Sequence, residues 1–154
     1  MTLQFLALPT DTVRALRAGG PDAYGMPAER RLCDGPGYPC RHCLRPVPEG
    51  QEVLVLAHRP FPALQPYAET GPIFLCAEDC PRGGGPDLPA ILSAPDYILR
   101  GYGPDDRIVY GTGAVTQTAA IASRAEELLA DPRVAYVHVR SARNNCYQCR
   151  IEKG

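Results

Sequence analysis

Six of the seven cysteines stand in three close pairs, Cys40-x2-Cys43, Cys76-x3-Cys80 and Cys146-x2-Cys149. Few features restrict a fold more, since each pair must be served by a metal, by oxidation or by burial. The compartment decides among these. Residues 1–8 carry a short apolar run with no basic segment ahead of it, unlike a secretory signal. No stretch reaches the roughly 20 apolar residues that cross a bilayer. The expectation is a cytosolic protein with reduced thiols, in which close pairs point to metal or redox chemistry.

A two-residue gap lets a tight knuckle aim both sulfurs at one tetrahedral ion, at about 2.3 Å each. Pro39-Cys40-Arg41-His42-Cys43-Leu44 has that form. Cys40, Cys43, Cys76 and Cys80 are the first choice for a structural zinc site, because both pairs adjoin turn-rich sequence. His42 is a further candidate ligand, although a loop histidine more often faces solvent. Cys146 and Cys149 suit the task less. On one regular strand their odd separation sends them to opposite faces, one into the core and one outward. The bland alternative is that the cysteines are core residues, since free cysteine packs as a small hydrophobe.

The chain has 154 residues, 45% apolar and 21% charged, the balance of an ordinary globular protein of one domain, residues 1–154. A net charge of -1 gives no global attraction to nucleic acid or to an anionic membrane. Lys153 is the only lysine, so the positive charge is nearly all arginine, which suits bidentate recognition of carboxylate or phosphate. Composition bias toward Arg, Ala, Pro and Gly would give the same excess.

Alternation predicts a short strand over residues 2–8, followed by a helix that Thr10 or Asp11 caps and Gly19-Gly20-Pro21 stops. Residues 21–48 read as a long Cys/Pro/Gly-rich loop with no sustained period. Residues 52–58 are apolar on both faces and predict a central strand. A strand over residues 72–77 precedes a flexible glycine break, Gly83-Gly84-Gly85. Residues 97–102 and 107–115 resemble strands joined at Gly103-Pro104-Asp105-Asp106. The strongest helix spans residues 118–130, and residues 134–140 and 146–152 form an antiparallel hairpin. Helices and strands do not alternate. That predicts an α+β fold: an antiparallel or mixed sheet with about two helices packed on one face.

On the strand of residues 134–140, Tyr136, His138 and Arg140 share one face, opposite Ala135, Val137 and Val139. The hairpin should bring Arg140 near Cys146, and Arg41 adjoins Cys40. Positive charge beside either thiol would favour a thiolate. An ordinary half-exposed polar sheet face is the alternative. No phosphate loop, dinucleotide fingerprint or nucleophile elbow is present. Arginines with Tyr102, Tyr110 and Tyr147 match no RNA-binding module.

Gly37-Tyr38-Pro39-Cys40-Arg41, Pro66-Tyr67, Gly71-Pro72-Ile73-Phe74 and Asp131-Pro132-Arg133-Val134-Ala135-Tyr136-Val137-His138-Val139, followed by Ala142 and Cys146, resemble the bacterial family catalogued as domain of unknown function 1203. The resemblance implies no substrate or reaction. It implies a shared pattern at Cys40, Arg41, Tyr67, His138 and Cys146, and it makes Cys43, Cys76, Cys80 and Cys149 additions of this branch. With Arg140 these form a candidate functional face: Cys40, Arg41, Tyr67, His138, Arg140 and Cys146. Three function classes follow. They are a binding or structural domain whose cysteines are core residues or hold a zinc, a thiol-dependent enzyme or redox sensor using Cys146 or Cys40 with neighbouring Arg and His, and an arginine-rich interaction module.

Overall fold

In the computed structural model, which describes all 154 residues, nine strands and two α-helices follow in the order β1 (Leu3–Leu6), α1 (Thr10–Arg17), β2 (Glu29–Leu32), β3 (Glu52–His58), β4 (Gly71–Cys76), β5 (Gly84–Gly85), β6 (Asp96–Tyr102), β7 (Ala114–Gln117), α2 (Ile121–Ala130), β8 (Tyr136–Ser141) and β9 (Tyr147–Lys153). A single 3-10 turn, Thr118–Ala120, leads into α2. The class is α+β with antiparallel sheets, as the irregular order of elements predicts. No helix is long and apolar enough to cross a membrane.

Two sheets divide the strands. The larger runs β5-β1-β9-β8-β6-β7 and the smaller β2-β3-β4. β3 takes the central place its doubly apolar pattern demands. Each sheet has its own helix. Ile121, Ala125, Leu128 and Leu129 of α2 pack with Phe5, Leu99, Val137, Val139, Cys149 and Ile151 of the large sheet. Val13 and Leu16 of α1 pack with Val53, Leu54, Ile73 and Leu75 of the small one. The apolar stripes at helical spacing therefore bury against two different layers.

Four local features depart from the sequence pattern. β2 lies in the segment that reads as loop; all four of its residues are exposed, so no alternation marks it. The strand expected over residues 107–115 is confined to β7, because Tyr110-Gly111 turns the chain and Gly111 adopts φ 92°. The glycine break is instead the edge strand β5, pairing Phe5 with Gly85 and Leu6 with Gly84. Close approach requires the glycines there: a Cβ at Gly83 would stand 2.1 Å from the Cys43 carbonyl oxygen. Finally, Thr10 does not cap α1. Pro9 holds the cap position with no side-chain bond, and the Thr10 hydroxyl meets His42 Nε2 at 2.9 Å.

Candidate metal centre and buried arginine cleft

The knuckle is built by backbone geometry. Cys40 N–H donates to the Arg45 carbonyl and Leu44 N–H to the Cys40 carbonyl, both at 3.0 Å, and Leu44 takes φ 56° to close the turn. Arg41 N–H donates to the Phe74 carbonyl at 3.1 Å, which lays the knuckle beside the end of β4. Cys76 therefore arrives from β4, and Cys80 from the turn that follows.

The four sulfurs of Cys40, Cys43, Cys76 and Cys80 lie within 4.8 Å of one another, and they are placed to hold a metal ion. Cys40 and Cys80 sulfurs are 4.0 Å apart, as are those of Cys43 and Cys76. Four thiolates around a tetrahedral ion at 2.3 Å would stand about 3.8 Å apart. A disulfide needs about 2.05 Å. All seven cysteines are free thiols.

Electrostatics agree with the geometry. Hydrogen bonds from Cys43 and Cys76 hold the Cys40 thiol far below its ordinary value, helped by the backbone N–H of Cys76 at 3.2 Å. The same contacts push Cys43 up to about 12 and raise Cys76, while burial and the Cys40 charge raise Cys80. Without a cation the cluster stabilises one thiolate at the expense of the other three. A divalent ion removes that conflict, because it favours all four in deprotonated form.

The surroundings are arranged for sulfur. Arg17 donates from Nη2 to Cys80 Sγ at 3.1 Å and from Nε to the Cys76 carbonyl at 3.0 Å. His42, expected at the surface, is only 1% exposed, and its Nδ1 lies 3.1 Å from Cys80 Sγ. A Cys80 thiolate can only accept, so Nδ1 would carry the proton and Nε2 would accept from the Thr10 hydroxyl. Burial, with Arg17 second, lowers the His42 pKa and keeps the ring neutral. His42 thus orients a sulfur rather than joining the four-cysteine group.

The remaining cysteines stand apart. Cys149 is in the large core, where burial pushes its thiol up to about 12. Cys33 is buried and donates to the Val47 carbonyl at 3.3 Å. Cys146 is half-buried in the β8–β9 turn and donates to the Asn144 carbonyl at 3.7 Å. Arg140 does not pair with it: Arg140 Nη1 meets the Asn145 carbonyl at 3.1 Å and Glu69 Oε2 at 3.2 Å.

Tyr136, His138 and Arg140 do share a face, and it is buried rather than half-exposed, at 2%, 1% and 3% exposure. Phe61, from the segment after β3, packs against Tyr102 and His138 there. Cross-strand register sets Arg100, His138 and Arg150 in one row. A bulge between Val139 and Arg140 pairs Arg140 with Tyr147, and the Tyr147 ring stacks on His138 at 4.9 Å. Arg41, 2% exposed, reaches this layer from the knuckle, donating from Nε to the Tyr147 carbonyl at 2.8 Å and from Nη1 to the Pro39 carbonyl at 2.7 Å. Cys40, whose sulfur turns into the four-sulfur group, is not brought to His138. Tyr67 is also apart, bonded to the Tyr110 hydroxyl at 2.8 Å with the Arg107 guanidinium over its ring. Glu69 and His58, which spacing does not single out, border the cleft instead.

Burial lowers His138 well below its ordinary value, and burial with Arg41 and Arg140 takes His58 down to about 4. The unfolded chain takes up these protons near pH 6.5 while the folded chain does not. Their contribution to stability is therefore complete above that pH and lost as the pH falls toward 4. A slope of about 1.4 kcal/mol per pH unit for each histidine is expected in that window, less for the part-exposed His58. Urea unfolding of wild type and His138→Gln between pH 7 and 4.5 checks this. Any contribution of the cysteine group is common to both proteins, so the difference isolates the ring, and identical slopes would count against it.

A family model described as a protein of unknown function (DUF1203) matches residues 37–153. The chain belongs to this family. The match takes in the knuckle, Cys76, Cys80, the buried arginines and Cys146, and leaves β1, α1 and β2 outside. Comparison with curated proteins and with solved structures gives no match. Membership in DUF1203 carries no activity with it, so the functional reading rests on the site.

Proposed function

We propose that this DUF1203 protein is a binding domain of a reducing compartment, a single folded unit organised by one structural zinc on Cys40, Cys43, Cys76 and Cys80. The observation that carries it is the group of four sulfurs within 4.8 Å, three of the cysteines buried, with no disulfide among them. A site closed by four thiolates keeps no open position for substrate, which is the mark of a structural rather than a catalytic zinc. The role of the ion is to fix the knuckle, and with it the path of Arg41 toward β9. A thiol-enzyme reading has less support, because the one polar contact of Cys146 Sγ is a carbonyl.

Metal analysis of protein purified without chelator, with thiol alkylation on the same sample, tests this. About one zinc per chain is expected, with Cys146 the fast-reacting thiol and the four cluster cysteines protected until chelator is added. Metal-free protein whose cluster thiols alkylate as fast as Cys146 would overturn the reading.

A further inference from the structure

The arginine excess turns inward. Arg140 is 3% exposed, yet its Nε and Nη2 find no partner in the protein. Its other nitrogen, Nη1, is engaged by Asn145 and Glu69. A buried guanidinium with two idle donors is costly unless something accepts from them. Nε–H and Nη2–H form one edge of the fork, and that edge matches the two oxygens of a carboxylate.

A cavity of about 220 Å³ opens beside Arg140, walled also by His58, Thr70, Asn144 and Cys146. It adjoins a wider cleft of about 630 Å³ at Pro72, Asn144 and Cys146, the residues common to both linings. Tyr38, Phe74, Ile91 and Tyr97 give the wider cleft an apolar wall, with Arg41 beside them. The Arg140 side chain therefore walls the small cavity, its two idle nitrogens covered, and the cleft continuing from it offers apolar surface.

The charge selects the head group. Glu69 bridges Arg140 and Arg100, at 3.2 Å and 2.9 Å, so these three groups carry a net charge of +1. Arg41 spends its Nε and Nη1 on the Tyr147 and Pro39 carbonyls. Those two bonds leave the Arg41 charge in the wider cleft uncompensated, but at the small cavity one surplus positive charge, a two-donor edge and a carboxylate already in the wall favour a singly charged head over a dianionic phosphate. We infer that the cleft between the two sheets binds an organic monocarboxylate, whose carboxylate draws the idle Nε/Nη2 edge of Arg140 into the small cavity and whose apolar body lies along Tyr38, Phe74 and Ile91. Cys146 stands where head and body meet, so an occupant shields its thiol. This goes beyond the zinc reading and does not depend on it, since Arg140 is carried by β8.

The test uses hexanoate as the carboxylate with an apolar body, hexan-1-ol as its uncharged counterpart and phenyl phosphate as the dianion. Iodoacetamide labelling of Cys146 is timed in the zinc-loaded full chain. Millimolar hexanoate is expected to slow Cys146 alkylation, and hexan-1-ol to leave it unchanged. Arg140→Lys keeps the charge but loses the fork, and should weaken hexanoate protection about tenfold, the equivalent of one charge-assisted hydrogen bond. Zinc content and melting temperature of Arg140→Lys verify that the fold is intact; if it is not, Tyr38→Ala removes part of the apolar wall and is expected to weaken hexanoate protection, and undiminished protection there would overturn the proposal. Equal protection by hexan-1-ol would overturn the proposal, as would undiminished protection in a folded Arg140→Lys. Phenyl phosphate protecting where hexanoate does not would overturn the carboxylate assignment. Protection by no probe would overturn the site itself, while unchanged zinc content would leave the metal reading intact.

Discussion

Cys76→Ser is expected to lose stoichiometric zinc and to melt more than about 10 °C below wild type. Structural zinc binding is worth on the order of 10 kcal/mol in small metal-organised folds, and 1 kcal/mol moves the melting point of a chain this long by about 2–4 °C. The hydroxyl is a poor zinc ligand and leaves Cys43 Sγ, now 4.0 Å from Cys76, without its partner. Cys76 also ends the strand that holds the knuckle through Phe74, so the loss reaches the small core of Val53, Leu54, Ile73 and Leu75. Wild-type protein treated with chelator should melt at the temperature of the variant, because both lack the same ion. Cys33→Ala is the comparison that separates metal from packing. Cys33 lies in the same core but outside the four-sulfur group, so that variant should keep its zinc and lose only a cavity's worth of stability, about 1–2 kcal/mol. Calorimetry with metal analysis decides the matter. Cys76→Ser and Cys33→Ala melting alike, with chelator inert on wild type, would return the cysteines to ordinary core residues.

What the sequence makes legible here follows from how local each feature is. The knuckle can be read because two sulfurs two residues apart are brought together by one turn, and the partner pair follows because Cys76 and Cys80 flank a strand end. The alternation of Tyr136, His138 and Arg140 is equally local, and β8 carries them on one face. Burial of that face is not local. It depends on Phe61, from the segment between β3 and β4, folding over His138. The placement of Tyr147 depends on a bulge that breaks the two-residue period, so counting along β9 sends this ring to the wrong face. The loop setting of His42 favours a surface place or a ligand role, but the Cys80 thiol and the Thr10 hydroxyl take both its nitrogens. Thr10 in turn is drawn away from the helix cap. The glycine run reads as a break because nothing in its composition reports how near β1 and the knuckle approach it.

Arg41→Ala is expected to cost about 3–4 kcal/mol of stability while leaving zinc bound. Arg41 sits between the two ligands of the knuckle, yet its side chain serves the other sheet. Its Nε and Nη1 satisfy the Tyr147 and Pro39 carbonyls, and its guanidinium lies 5.8 Å over the Phe74 ring. Burial pulls the guanidinium down to about 10, opposed by Cys146 and Cys40, so it remains charged at neutral pH and costs solvation energy there. Truncation removes that cost, but it strands two carbonyls, at about 1–3 kcal/mol for each buried one, and opens a cavity. Arg41→Met refills most of the volume without the charge and should recover about half the loss. Urea denaturation with metal analysis on the three proteins reads all of this. Arg41→Ala within about 1 kcal/mol of wild type would mean that the guanidinium ties nothing together. Loss of zinc in Arg41→Met would mean that the side chain shapes the knuckle itself. Zinc retained with a graded loss of stability would identify Arg41 as the tie through which a metal-fixed turn holds β9 and, with it, the stacked Tyr147 and His138 rings.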